Sequence, residues 1–217
     1  MKTLPLIIML TIFNPIFAKP HMIAELGDLS CIEKSTNVKK QLSEVNIKTT
    51  GASRSEKKLL ANVTETIEKL TNQQQAETIL GGLTVNFKDV LRSHSSGGCL
   101  PAHQLVPKQI SIGRKCANGY EIKLQLQEGI VIHEIGHFVA NKLGLYSKYT
   151  NQVSRRCRLT SYMRFTRTGR KHKNRNEEFA EVFAAYLIYG KKLKRSCKKS
   201  YEFMRKNLFL GTESLCR

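Results

Sequence analysis

At 217 residues, 41% of them hydrophobic, the chain is long enough to bury a sizeable core in a single domain. Its 36 Lys and Arg against 17 Asp and Glu give a formal charge of +19, which points to acidic or polyanionic partners. No aromatic-interleaved basic stretch and no zinc-finger spacing occurs, so a sequence-specific reader of nucleic acid is excluded, and beyond the first 18 residues no segment is apolar enough to span a bilayer.

Residues 1–18 have the form of a cleavable secretory signal. Lys2 precedes an apolar run from Leu4 to Phe13, and Ile16-Phe17-Ala18 ends it. The run is short for a membrane anchor and Asn14-Pro15 interrupts it. Cleavage after Ala18 leaves Lys19–Arg217 as a single domain of charge +18, with residues 19 to about 50 as an N-terminal extension or pro-segment. All six cysteines (Cys31, Cys99, Cys116, Cys157, Cys197 and Cys216) follow that site, and an even count in a secreted chain predicts disulfides throughout. The spacing does not choose the pairing. No C-x-x-C occurs, which argues against a cysteine zinc site. Asn62-Val63-Thr64 is a glycosylation acceptor only along a eukaryotic secretory route.

The periodicity predicts a helix from Ser55 to about Leu80, with Leu59, Leu60, Val63, Ile67 and Leu70 on one side and Gly81-Gly82 as its stop. Leu83–Phe87 alternates as a strand. A Ser/Gly-rich loop follows around His94–Gly98, and His94 and His103 are read as loop histidines. Gln109–Arg114 and Tyr120–Leu126 read as two strands joined through Asn118-Gly119, a strong hairpin signal.

The segment from about Glu128 to Leu143 is too apolar for a surface helix and should cross the core, with Gly144 placed to cap it. Within it lies His133-Glu134-Ile135-Gly136-His137. Residues i and i+4 share one helical face, so His133 and His137 can present two imidazole nitrogens to one Zn²⁺. Glu134 beside them can take a proton from water. Two histidines and a glutamate in such a helix are costly unless a metal or other partners compensate them.

A hydrolytic zinc site needs a third protein ligand and an open position. The next helix, from near Asn176 to Leu187 before Gly190, carries Phe179, Phe183 and Leu187 as an apolar stripe and Glu177 and Glu181 as a second face. One of these glutamates can bind zinc while the other accepts the N–H of a ligand histidine. Glu178, about a quarter turn away, is the fallback ligand. An acidic first turn complementing the helix dipole explains Glu177 and Glu178 equally well, but Glu181 less so. The longer metzincin pattern fails, because Ala140 and Leu143 stand where it needs Gly and His.

The HEIGH motif, Leu159-Thr160-Ser161-Tyr162, and Asn176-Glu177-Glu178-Phe179-Ala180-Glu181-Val182-Phe183 together resemble the catalytic domain of anthrax lethal factor and the small secreted Pro-Pro endopeptidases built on it. The resemblance covers roughly Leu124 to Tyr189. It implies an α+β, zincin-like domain stapled by disulfides, in which a small mixed sheet with an edge strand packs on a buried HExxH helix and a second ligand-bearing helix. It implies one Zn²⁺ per chain held by His133, His137 and Glu177, with Glu181 supporting a ligand histidine. It further implies Glu134 as general base and Tyr162 as oxyanion donor, and an edge strand ahead of the zinc helix that pairs with extended substrate. The chain departs from the family in the basic segment Met163–Asn176, longer than the usual link between tyrosine and glutamate. The function implied is a secreted, monomeric zinc endopeptidase acting on proteins or peptides.

Basic residues concentrate at the C-terminal end: Arg155–Arg217 holds 18 Lys and Arg against 5 Glu. One cluster is Arg164, Arg167, Arg170, Lys171, Lys173 and Arg175; the other is Lys191, Lys192, Lys194, Arg195, Lys198 and Lys199. A solvated charge run is the ordinary reading, and attraction of acidic peptide or a polyanionic surface is the functional one. The competing reading of the whole chain is a secreted, cationic, disulfide-bonded binding protein or toxin whose zinc site is structural or vestigial.

Overall fold

The computed structural model describes residues 30–91, 102–106, 108–115, 119, 121–122, 124–154, 157, 159–160 and 173–216. The signal segment, Cys99, Cys116, the His94–Gly98 loop, Tyr162 and Arg164, Arg167, Arg170 and Lys171 lie outside them. The described residues form an α+β arrangement of eight helices and a four-stranded sheet.

The chain enters through α1 (Val38–Glu44), whose N-cap Asn37 accepts from the Lys40 amide, and β1 (Lys48–Thr50). α2 (Arg54–Leu70) begins with a capping box: Ser53 accepts from the Glu56 amide and Glu56 accepts from the Ser53 amide. It buries Leu59, Leu60, Val63, Ile67 and Leu70, the side read from the periodicity. The single helix expected over 55–80 is two helices. α2 stops at Leu70, and Asn72 caps α3 (Gln73–Leu80) by accepting from the Gln75 amide at 2.8 Å. Thr71 meanwhile bonds back to the Ile67 carbonyl at 2.6 Å. Thr and Asn offer the backbone local alternatives to helical pairing, and here they win between two apolar stripes. The Asn62 sequon lies inside α2. Asn62 accepts from the Ser35 amide, and Thr64 is fully buried and bonded to Leu60, so the tripeptide is built into the fold.

The sheet is β1, β2 (Thr84–Val90), β4 (Gln109–Lys115) and β3 (Ala102–Val106) in spatial order. β1, β2 and β4 run parallel, and β3 pairs antiparallel with β4 as the edge. This corrects the hairpin expected over 109–126. The partner of β4 is β3, which contains His103, rather than Tyr120–Leu126. After β4 the described residues keep a Lys115–Glu121 bridge, with the Ile122 amide donating to the Arg114 carbonyl, before α4 (Leu124–Lys142) starts. Leu-Gln-Leu-Gln alternates in polarity, yet both residue types are strong helix formers with none of the β-branching that favours strands.

α4 packs against β4 and β3 on one side and against α6 (Lys173–Ile188) on another. A Cβ on Gly136 would sit 2.9 Å from the Ala180 Cα, so the α4–α6 crossing depends on a glycine facing an alanine. Gly144, at φ +63°, turns the chain sharply from α4 into α5 (Leu145–Gln152). Beyond α6, α7 (Gly190–Ser196) and α8 (Lys198–Asn207) close the core with Tyr201, Phe203 and Met204. Among the described residues two disulfides staple the fold: Cys31–Cys216 joins the segment before α1 to the one after α8, and Cys157–Cys197 ties the segment after α5 to the α7–α8 junction. None of the described helices is long and apolar enough to cross a membrane.

Candidate metal centre

α4 is apolar on nearly every side: from Gly129 to Ala140 only His137 escapes full burial. The i, i+4 spacing puts His133 and His137 one turn apart, with ring centroids 4.7 Å from each other. The first turns of α6 face them across the Gly136–Ala180 contact. Glu177 Oε2 lies 3.2 Å from His133 Nε2 and 3.2 Å from His137 Nε2, so the two rings and the carboxylate converge on one point. His133, His137 and Glu177 form a group that can hold a metal ion, with ligand atoms all within 4.8 Å of one another.

The opposite edge of each ring is engaged by protein. His133 Nδ1 pairs with Glu181 Oε1 at 2.9 Å, and the other Glu181 oxygen accepts from the Thr160 hydroxyl at 2.8 Å. His137 Nδ1 is 2.8 Å from the Tyr146 hydroxyl. Such contacts orient an imidazole so that Nε2 points to a common centre. Glu134, 8% exposed, sits beside His133 on α4, and its charge acts on both His133 and Tyr146.

The electrostatics describe a cradle for positive charge. Burial pushes the His133 imidazolium toward its neutral form, but hydrogen bonds to Glu177 and Glu181 outweigh this and hold its pKa up at about 10. Burial raises the Glu177 carboxyl too, and the two histidines overcome it, leaving it well below the usual carboxylate range. Burial, joined by the charges of Glu177 and Glu134, pushes the Tyr146 phenol up, so at neutral pH it stays a neutral hydroxyl. A cation among two imidazoles and a carboxylate fits this donor set, and mixed nitrogen and oxygen ligation is what zinc accepts.

The remaining predicted residues fall out as follows. Glu178 is not a spare ligand. It is 3% exposed and faces away, accepting from both the Tyr149 hydroxyl and the Cys157 amide at 2.9 Å and from Arg175 at 2.9 and 3.0 Å. Arg175 therefore leaves the solvated cationic cluster: it is 8% exposed, bonds the Val153 carbonyl, and lies 5.0 Å from the Tyr149 ring centroid. The second basic cluster does face solvent, with Lys194 paired to Glu213. Tyr162 lies outside the described residues. Sequence reasoning missed Tyr146 and Thr160. The first was within reach: Gly144 ends α4 with a sharp turn, which returns a residue two places later toward His137. Thr160 carried no such signal, since a tertiary contact brings it to Glu181.

Comparison with family models, with curated proteins and with solved structures gave no match to this chain.

Proposed function

We propose that the chain is a secreted zinc-dependent endopeptidase, with His133, His137 and Glu177 as zinc ligands and Glu134 as general base. The observation that carries the reading is the convergence of both Nε2 atoms on one Glu177 oxygen while each Nδ1 is held from behind. A chance pair of surface histidines does not come with a buried carboxylate behind one ring and a half-buried phenol behind the other. Bound zinc supplies Lewis acidity, which acidifies a water toward a pKa of about 7 and polarises a carbonyl.

The chain's own groups supply the rest. Glu134 takes the proton of the attacking water and returns it to the leaving amine, a role typically worth about 10²–10⁴ in rate. Glu181, itself held by Thr160, keeps the His133 ring oriented, and Tyr146 does the same for His137. Among the described residues β3 is an edge of the sheet and packs beside α4. In this reading it replaces the strand expected at Tyr120–Leu126 as the one that pairs with an extended peptide backbone. The resemblance adds Tyr162 as donor to the developing oxyanion. The two disulfides support an extracellular setting, and the Lys191–Lys199 cluster suits acidic peptide or a polyanionic surface.

The test pairs metal analysis with peptide-library cleavage by the wild type and Glu134→Gln. The proposal requires one zinc per chain in both proteins, cleavage by the wild type, and a loss of about 10²-fold or more in the variant. Zinc in both with equal or absent cleavage would end the peptidase assignment and leave a cationic binding protein with a structural metal.

A further inference from the structure

We infer that Glu178, clamped by Arg175, is a positioning residue for the metal ligand Glu177: it sets the place of the first turns of α6 relative to the histidines of α4. This rests on the metal-centre reading above. Glu177 is the one ligand not carried by α4, so the geometry of the centre depends on how α6 is held.

Adjacent residues on a helix point about 100° apart, and here they divide two tasks. Glu177 faces His133 and His137, while Glu178 faces the opposite contact, into the space between α5, α6 and α8. There its carboxylate gathers donors from three separate parts of the chain. Tyr149 of α5 donates its hydroxyl at 2.9 Å and is itself 3.0 Å from Ser200 of α8. Cys157 donates its amide at 2.9 Å and is covalently tied to Cys197. Arg175 donates from one nitrogen to both carboxylate oxygens, and its other terminal nitrogen reaches the Val153 carbonyl just past α5. A buried ion pair is weak evidence for stability in itself, and its best-attested use is to specify one arrangement among several. The arrangement specified here is the placement of α6. Translation or rotation of α6 that moved Glu177 from the metal would have to break charge-assisted bonds at Glu178 in an environment that offers no water to replace them.

The decisive experiment measures zinc affinity by chelator competition on the disulfide-intact full chain, in a double-mutant cycle of Glu178→Gln with Glu177→Gln. Glu178→Gln should bind zinc about 10–100-fold more weakly than the wild type, the range for residues that support a ligand from behind. With Glu177→Gln already present, the same change should cost no more than about twofold, because the residue it positions is gone. Cobalt in place of zinc provides a second readout, with a ligand-field spectrum altered in Glu178→Gln and unchanged in the distant destabilising variant Leu60→Ala. If Glu178→Gln does not fold, Tyr149→Phe removes a single donor from the carboxylate and should weaken zinc binding roughly 2–10-fold. Zinc binding by Glu178→Gln within about twofold of wild type, or an equal penalty in the Glu177→Gln background, overturns the inference and leaves the metal centre standing. Absence of zinc binding by the wild type overturns both.

Discussion

Helices α2 and α4 are nearly equal in length, 17 and 19 residues, yet one has a wet face for its polar groups and the other has none along its middle. α2 is amphipathic: Leu59, Leu60, Val63, Ile67 and Leu70 are buried while Lys57, Lys58 and Lys69 stand in water. Its N-terminus is satisfied by its own Ser53 and Glu56. α4 has no wet face along its middle, so His133 and Glu134 are buried among apolar neighbours. The partners of His133 come from Glu177 and Glu181, 44 and 48 residues along the chain. On α2 the buried Glu56 and the half-buried Asn62 draw partners from elsewhere, Arg114 and Ser35, but a polar residue on its wet face needs none. Along the middle of α4 a polar residue must be met by a specific side chain from elsewhere, and that requirement builds a site.

The contrast can be broken in order of expected effect. Glu181→Ala removes the buried carboxylate behind His133 and should weaken zinc binding by about 10–100-fold in chelator competition. Unchanged affinity would mean the His133 ring is held without it. Gly136→Ala puts a methyl against Ala180, an overpacking that typically costs about 1–3 kcal/mol and exceeds the roughly 1 kcal/mol gained in helix propensity. Urea midpoints should fall, and zinc affinity with them as α4 and α6 separate; a rise in midpoint would show the crossing has slack.

On the α2 side the effects should be smaller and confined to stability. Ser53→Ala should cost about 1 kcal/mol in urea unfolding and leave zinc affinity within about twofold. A larger loss of zinc would couple the two regions. The smallest effect concerns pH. Burial raises the Glu56 carboxyl, but hydrogen bonds from Arg114 and Ser53 and the Arg114 charge together hold it below its ordinary value of 4.5. A depressed folded-state pKa contributes stability that is full above about 4.5 and is lost as pH falls below it. Arg114→Met should therefore flatten the acid limb of the stability curve below pH 4.5, by under about 1 kcal/mol for a pair whose arginine is partly exposed. An unaltered limb would assign acid sensitivity to other carboxylates.

Much of this could be read without coordinates where a signal is local. The α2 stripe, the Gly81-Gly82 stop and the strands around Val85 and Ile110 follow from periodicity within a few residues. The hairpin at 109–126 failed because strand pairing is not local: β3, missed as a strand, outcompetes the residues beyond Asn118-Gly119. The long helix over 55–80 failed because its apolar stripe continues through Thr71-Asn72 while the backbone does not.

By itself the sequence determined that two histidines and a glutamate share one turn of a buried helix and that a second helix brings acidic residues after them. Those are properties of 3.6-residue periodicity and need no packing. Only the tertiary structure decided which glutamate meets the histidines, that Glu178 and Arg175 are spent on each other, and that Cys31 pairs with Cys216 and Cys157 with Cys197. Glu177, Glu178 and Glu181 differ by at most four positions on one helix, and local rules treat them nearly alike. Their separate fates were set by the rotation and crossing of α6 on α4, which follow from how a glycine and an alanine let two helices approach.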